Sequence, residues 1–308
     1  MLALLLLPCL LLSSLTAETS IPNDWIEYTP GDCNLIISSP HGGWLRPAEI
    51  EDRTHGCLAA DGVTCRWEKS CSPVAPTACR AVTGADINTQ QVAAQLVEHL
   101  AERYSCRPHF IRANLHRSKL DPNRPVEQAA QGDRLAQAAW KAYHETFMTA
   151  AMERVQSRYG IGLVLDIHGQ SHPEQWTELG YVLSKELLNA GPQDLSGSSI
   201  RALQARTGQS ARELLSGRLS LGSLMESAGY KVVPSRSHPS PGSGNYFSGG
   251  YITQRYSSLI SGQIDAIQVE IASGIRLNPT ACEKFGADLA QQVDQFRRIN
   301  GYDISPRS

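Results

Sequence analysis

Two runs in this 308-residue chain, GLVLDIHG at 162–169 and IDAIQVEIA at 264–272, are apolar at most consecutive positions. A strand with one wet face alternates apolar and polar residues; a strand covered on both faces need not. Such strands belong in the middle of a parallel sheet with helices on either side. NLIISS at 34–39 and HFIRANL at 109–115 read as further strands, as do ELGYVLS at 178–184 and YKVVPS at 230–235. Between them, 86–104 reads as a helix with Val92, Leu96 and Leu100 on one stripe, and with Asp86, Asn88 and Thr89 where caps belong. The Ala-rich stretch 127–158 forms one long helix or two, and a last helix covers about 280–298. This order predicts a single α/β domain with a central mixed, mostly parallel sheet flanked by helices.

The segment 42–85 breaks the pattern. It is rich in Gly, Pro and Ser, and four of its residues are Cys57, Cys65, Cys71 and Cys79. A structureless stretch this long in a compact domain is functional or stapled. Disulfides in an oxidising compartment are the favoured reading. A four-cysteine zinc site is the rival, although the spacing lacks two short C-x2–4-C pairs. The first residues, MLALLLLPCLLLSSLTA, read as a secretory leader removed after Ala17, with an N-terminal anchor as the alternative. Removal takes Cys9 and leaves seven cysteines, Cys33, Cys106 and Cys282 among them, so one thiol is free or intermolecular. The expectation is a secreted catalytic domain over 18–308 with a Cys-rich insertion at about 42–85. No later run is long and apolar enough to span a membrane, and a net charge of -2 gives no footprint for nucleic acid.

Polar residues cluster at strand ends, where open α/β sheets gather their ligands. His41 follows the first strand, and Asp166 and His168 close LVLDIHG. Glu270 lies between Val269 and Ile271, where an unpaired carboxylate is expensive to bury, so it faces outward or meets a cation. Two histidines and a carboxylate hold a catalytic zinc with an open position for water, and a further carboxylate acts as general base. Arg117, Lys119 and Arg124 crowd one short loop, and arginine pairs with carboxylates through a planar fork. Asn245 and Tyr246 lie in the glycine-rich GSGNYFSGGYIT, a substrate loop or lid.

Five segments in order, SPHGG, KLDPNRP, LDIHGQSH, FSGGYIT and IQVEIA, together resemble the N-formylglutamate amidohydrolase family over about 34–273. The resemblance implies a fold related to zinc carboxypeptidases and one catalytic Zn2+. It implies His41 and His168 as ligands and Glu270 as the base that takes a proton from water and returns it to the leaving nitrogen. It implies Arg117 as a catalytic and substrate-binding residue beside Asn123 and Arg124, and Asp166 as the group orienting a ligand histidine. In the carboxypeptidase pattern a Glu three residues after the first His is the third ligand; here that position is Trp44. Asp86 is favoured in its place, with Asp52, and in principle Glu51, as rivals. Gly42 and Gly43 are expected to clear room for metal and substrate.

A leader and a Cys-rich insertion do not suit a cytosolic deformylase, so that activity is not carried over intact. The expected reaction is amide hydrolysis in an N-acyl amino acid or a small acidic peptide, the partner being a small molecule or short peptide with a carboxylate. A carboxypeptidase or γ-glutamyl peptide hydrolase on the same machinery is the alternative, and a binding protein on a degenerate enzyme fold a third.

Overall fold

The computed structural model describes residues 20–71, 77–260 and 262–307. The leader reading at 1–17 and Cys9 lie outside the described residues.

Seven strands form one mixed sheet. In chain order they are β1 (Ile26–Thr29), β2 (Leu35–Ser39), β5 (His109–Ala113), β6 (Gly162–Gln170), β7 (Thr177–Gly180), β8 (Val232–Val233) and β9 (Ile264–Ala272); β3 (Cys57–Leu58) and β4 (Cys65–Arg66) make a separate hairpin. The sheet order is β1-β5-β2-β6-β9-β7-β8. The four middle strands, β5, β2, β6 and β9, run parallel. β1 is antiparallel to β5 at one edge, and β7 is antiparallel to β9 on the other side.

Helices cover both faces. On one face Leu35, Ile37, Leu163, Leu165, Ile167, Val269 and Ile271 pack with buried residues of α1 (Thr89–Tyr104) and of the C-terminal helix Pro279–Ile299. On the other face Ile36, Val164 and Ala266 pack with Trp140, Tyr143 and Val155. Strand periodicity of two then decides where the polar residues go. Ser38, Asp166, His168, Gln268 and Glu270 share the second face, towards the carboxyl ends of their strands. Glu270 is buried, not turned to an outer edge.

The stretch 126–158 resolves into a short helix and a long one. The short α2 (Val126–Ala130) ends because Gln131 and Gly132 take positive φ, 49° and 80°. Asp133 then caps α3 (Arg134–Lys141) by accepting from the N–H groups of Leu135 and Ala136. A wider turn over Ala142–Met148 carries α3 directly into α4 (Thr149–Arg158). Four short helices between β7 and β8 have no counterpart in the sequence reading: α5 (Lys185–Ala190), α6 (Arg201–Thr207), α7 (Ala211–Ser216) and α8 (Leu221–Ser227). Serines 184, 210 and 220 cap three of them. The strand expected at 178–184 stops at Gly180, two residues before Val182 turns to φ 59°. Three further helices follow: α9 (Tyr251–Arg255), α10 (Ser273–Arg276) and α11 (Pro279–Ile299).

Three disulfides settle the cysteines. Cys57 pairs with Cys71 and Cys65 with Cys79, both within the insertion, and Cys33 pairs with Cys106. Cys282 is the buried free thiol. With its four cysteines paired in this way, the insertion holds no four-cysteine zinc site. Among the described residues no helix is long and apolar enough to cross a membrane.

Candidate metal centre and its cavity

Three segments deliver three donors to one point. His41 follows β2, His168 belongs to β6, and Asp86 precedes α1. The Nδ1 atoms of His41 and His168 are 3.1 Å apart, and Asp86 Oδ2 lies 3.3 Å from each. All three residues are buried. The far nitrogen of each ring is already taken: His41 Nε2 is 2.6 Å from Asp121 Oδ1, and His168 Nε2 is 2.9 Å from Asp166 Oδ2. An ionised carboxylate only accepts, so each ring donates from Nε2 and turns its Nδ1 lone pair towards the other ring and Asp86. Three converging lone pairs repel unless a cation or extra protons sit among them. Zinc takes nitrogen and oxygen ligands at about 2.0–2.2 Å, which in a tetrahedron spaces the donors by roughly 3.3 Å. The donor triangle fits such an ion, and carboxylate-backed histidines are the usual second layer of a metal site. This His-Asp-His group could bind a metal.

The electrostatics express the same demand for positive charge, met by a ring proton where no cation sits. Burial alone would raise the Asp86 carboxyl; the facing His41 and His168 rings override it and hold Asp86 below the ordinary range. Burial alone would lower the His168 ring; Asp166 first, then Asp86, hold it above.

The local sequence explains the convergence. Asn88 occupies the N-cap position of α1 with φ 65°, yet its side chain does not cap; its amide donates to the carbonyl of Arg276 at 2.7 Å. Thr89 Oγ1 donates to Asp86 O at 2.7 Å and steadies the backbone of Asp86. Gly42 and Gly43 serve a different purpose from the expected one. A Cβ on Gly42 would lie 2.7 Å from Gln90 Cγ and 2.8 Å from Thr89 Oγ1, and one on Gly43 would lie 2.4 Å from Ala113 O. The glycines let the chain beyond His41 pass between α1 and the end of β5; they make room for backbone, not for metal or substrate.

Glu270 sits beside this group as the register partner of His168 on the neighbouring strand. Its Oε1 accepts from Gln268 Nε2 at 2.9 Å. Burial pushes its carboxyl up to about 8. His41, Asp86, His168 and Glu270 all line one cavity of about 820 Å3.

The other expected residues separate. Asp52 is more than half exposed and bonds Ser118 Oγ at 2.9 Å and Lys119 Nζ at 3.0 Å; Glu51 pairs with Lys69 at 2.6 Å. Neither joins the histidines. Trp44 is 59% exposed. Arg117 lines the cavity but also braces its floor, with Nε 3.0 Å from Asp121 Oδ2 and Nη1 3.6 Å from Asp86 Oδ1. Asn123 lines it too, its side-chain oxygen accepting from Ile252 N–H at 2.9 Å and its own N–H donating to Asp121. Arg124 lines the cavity with one nitrogen on Asn123 O. Tyr246 contributes its ring, since its hydroxyl donates to Leu179 O at 2.6 Å. Asn245 is not brought to the cavity: it is exposed, and its amide and backbone N–H bond Glu174.

Sequence reasoning missed four groups here. Asp121 backs His41 from 80 residues away; it is the Asp of KLDPNRP, a segment in which only Asn123 and Arg124 carry an expected role. Arg276, on α10, lines the cavity and ties Ile87 O to Gln170 O at 3.2 and 3.3 Å. His172 lines the cavity and pairs with the buried Glu178. His172 is visible in GQSH as the second histidine of that segment; Glu178 gives no signal.

No model of a known protein family matches the chain, and no curated protein does. Among solved structures, the chain is similar to the N-formylglutamate amidohydrolase from Ralstonia eutropha JMP134, at 14% identity over 90% of this chain and 97% of that one, with a TM-score of 0.48. It is also similar to the gene product Atu2144 from Agrobacterium tumefaciens, at 15% identity over 90% and 92%, with a TM-score of 0.46.

Proposed function

We propose that residues 18–308 form a secreted zinc-dependent hydrolase that cleaves an amide bond in an N-acyl amino acid or a small acidic peptide. One observation carries the reading: His41, His168 and Asp86 converge through carboxylate-backed rings within the cavity that also holds the buried carboxyl of Glu270. The ordered motif resemblance points the same way, and three disulfides suit an extracellular setting.

A zinc ion held by His41, His168 and Asp86 supplies Lewis-acid polarisation of a carbonyl and a more acidic water. The protein's own groups do the rest. Asp121 and Asp166 fix the ring tautomers so that both Nδ1 atoms present lone pairs. Glu270, the register partner of His168 on the neighbouring strand, takes a proton from the attacking water. Arg117 holds Asp86 and Asp121 in place, and with Arg124 gives the cavity a cationic wall for a substrate carboxylate or the developing oxyanion. A cavity of about 820 Å3 exceeds what a formyl amino acid fills, which favours a larger acyl group or a short peptide.

The test is metal analysis joined to hydrolysis assays on N-acyl amino acids and short acidic peptides. About one zinc per chain is expected. Glu270→Gln should retain the zinc and lose about 100-fold or more in turnover. Metal-free protein, or zinc-loaded protein inactive on both substrate classes, would sink the reading; the second outcome would favour a binding protein on a degenerate site.

A further inference from the structure

A third histidine–carboxylate pair stands at the cavity, with His172 among its lining residues. His172 follows β6, and its Nδ1 lies 2.7 Å from Oε1 of Glu178 on β7. Glu178 is fully buried, and its other oxygen accepts the backbone N–H of Phe247 at 2.8 Å. The Phe247 ring stacks on the imidazole with centroids 4.6 Å apart. So the imidazole is fixed on one edge and one face. Its side chain still keeps 22% exposure and lines the cavity with Glu270 and His168.

The pair stands close to the reacting region. Glu178 and Glu270 are register partners on β7 and β9, and Glu270 is the register partner of His168 on β6. Register partners project from the same face of a sheet. Three neighbouring strands therefore present His168, Glu270 and Glu178 in one row, and His172 caps the end of it. Among the described residues no protein group bonds His172 Nε2. A tie between loop and strand needs only Nδ1 and does not require a ring nitrogen left unbonded at a cavity. A ring whose Nδ1–H is held by a carboxylate exchanges its second proton at Nε2, the arrangement that serves acid–base catalysis elsewhere.

We propose that His172 is the general acid of the hydrolysis, donating its Nε2 proton to the leaving nitrogen while Glu178 holds the ring. The inference rests on the hydrolase reading above. Glu270 takes one proton from water, and the water oxygen bonds to the acyl carbon. The C–N bond then breaks, its electron pair stays on nitrogen, and His172 Nε2 supplies that nitrogen's new proton. A carboxylic acid and an amine leave. Glu270 releases its proton to solvent, and His172 regains one at the cavity mouth. Glu178 is a positioning residue in this scheme.

The experiment uses the full zinc-loaded protein and two substrates with the same acyl group, an N-acyl amino acid and a p-nitrophenyl ester. The amide nitrogen must be protonated to leave; nitrophenolate leaves without a proton. His172→Gln should lose about 100-fold or more on the amide and stay within about threefold of wild type on the ester. Zinc content and thermal midpoint should not change. Glu178→Gln should show the same selectivity with a smaller loss, which also covers the case of a His172 variant that does not fold. Equal losses on both substrates, or no loss on the amide, overturn the proposal and leave the hydrolase reading standing. Wild-type protein inactive on both overturns the two together.

Discussion

The backbone N–H of Asp86 donates to the carbonyl oxygen of His41 at 2.9 Å. Two members of the candidate metal centre 45 residues apart are thereby joined at one point, and everything between them is an excursion that leaves and returns there. The entropy of closing a loop rises only slowly with its length. A long insertion between His41 and Asp86 is therefore compatible with a tight site, provided the neck is bonded. Arg53 reinforces that neck, with Nη1 donating to Val82 O at 3.0 Å and to Arg117 O at 2.9 Å.

Zinc affinity should fall in a graded order. Removing a donor, as in His168→Ala or Asp86→Ala, should abolish stoichiometric binding. Asp121→Asn and Asp166→Asn keep the donors but weaken the hold on the rings, and should reduce affinity by roughly 10- to 100-fold. Asp52→Asn should change nothing. Competition with a chelating dye checks all five proteins.

Gly42→Ala should damage both stability and metal binding. The new Cβ meets Gln90 and Thr89 at the start of α1, the helix whose approach carries Asp86. Overpacking of this kind destabilises by about 1–3 kcal/mol. Urea unfolding gives the first effect, and zinc titration the second. An unperturbed zinc titration would show that α1 yields without moving Asp86.

Acid should destabilise the fold below neutrality through His144. This ring is buried, donates to Pro122 O from Nε2 at 2.8 Å, and accepts from the Tyr256 hydroxyl at Nδ1. Burial holds its pKa down at about 4, against 6.5 when free. The unfolded chain therefore binds more protons between these values, so stability is full above pH 6.5 and falls as pH drops towards 4. The shift corresponds to roughly 3 kcal/mol. His109, whose Nδ1 accepts from Gly31 N–H, is lowered to about 4 by burial as well and acts in the same direction. Chemical denaturation at several pH values, in wild type and His144→Gln, should show a shallower slope in the variant.

Mild reduction should open the insertion first. Cys57, Cys65 and Cys71 are partly accessible, whereas Cys33 and Cys106 are buried. Alkylation followed by mass spectrometry should show four labels before six. Simultaneous appearance of six would mean that the insertion and the core open together.

The middle of the fold was legible because burial on both faces writes a direct signature. The runs at 162–169 and 264–272 emerge as β6 and β9 almost residue for residue, and α1 follows its stripe of Val92, Leu96 and Leu100. The edges were not. β1 has only four residues with mixed burial, and α5 to α8 are too short to build periodicity. In the site, His41, His168 and Glu270 stood out because each interrupts or ends an apolar strand. Their supporters did not. Asp121, Arg276 and Glu178 matter through contacts with residues that lie far off in sequence or, as with Glu178 and Glu270, on a strand paired by topology. No local pattern encodes such pairings.

The two bridges of the insertion interleave, Cys57–Cys71 across Cys65–Cys79. Any single peptide bond severed between Cys57 and Cys79 is therefore spanned by at least one of them. A protease that nicks this exposed excursion leaves one covalent molecule, with His41 on one fragment and Asp86 on the other still bonded at the neck. The Cys33–Cys106 bridge encloses the same stretch, so a clip between Cys57 and Cys79 is held by at least two covalent ties.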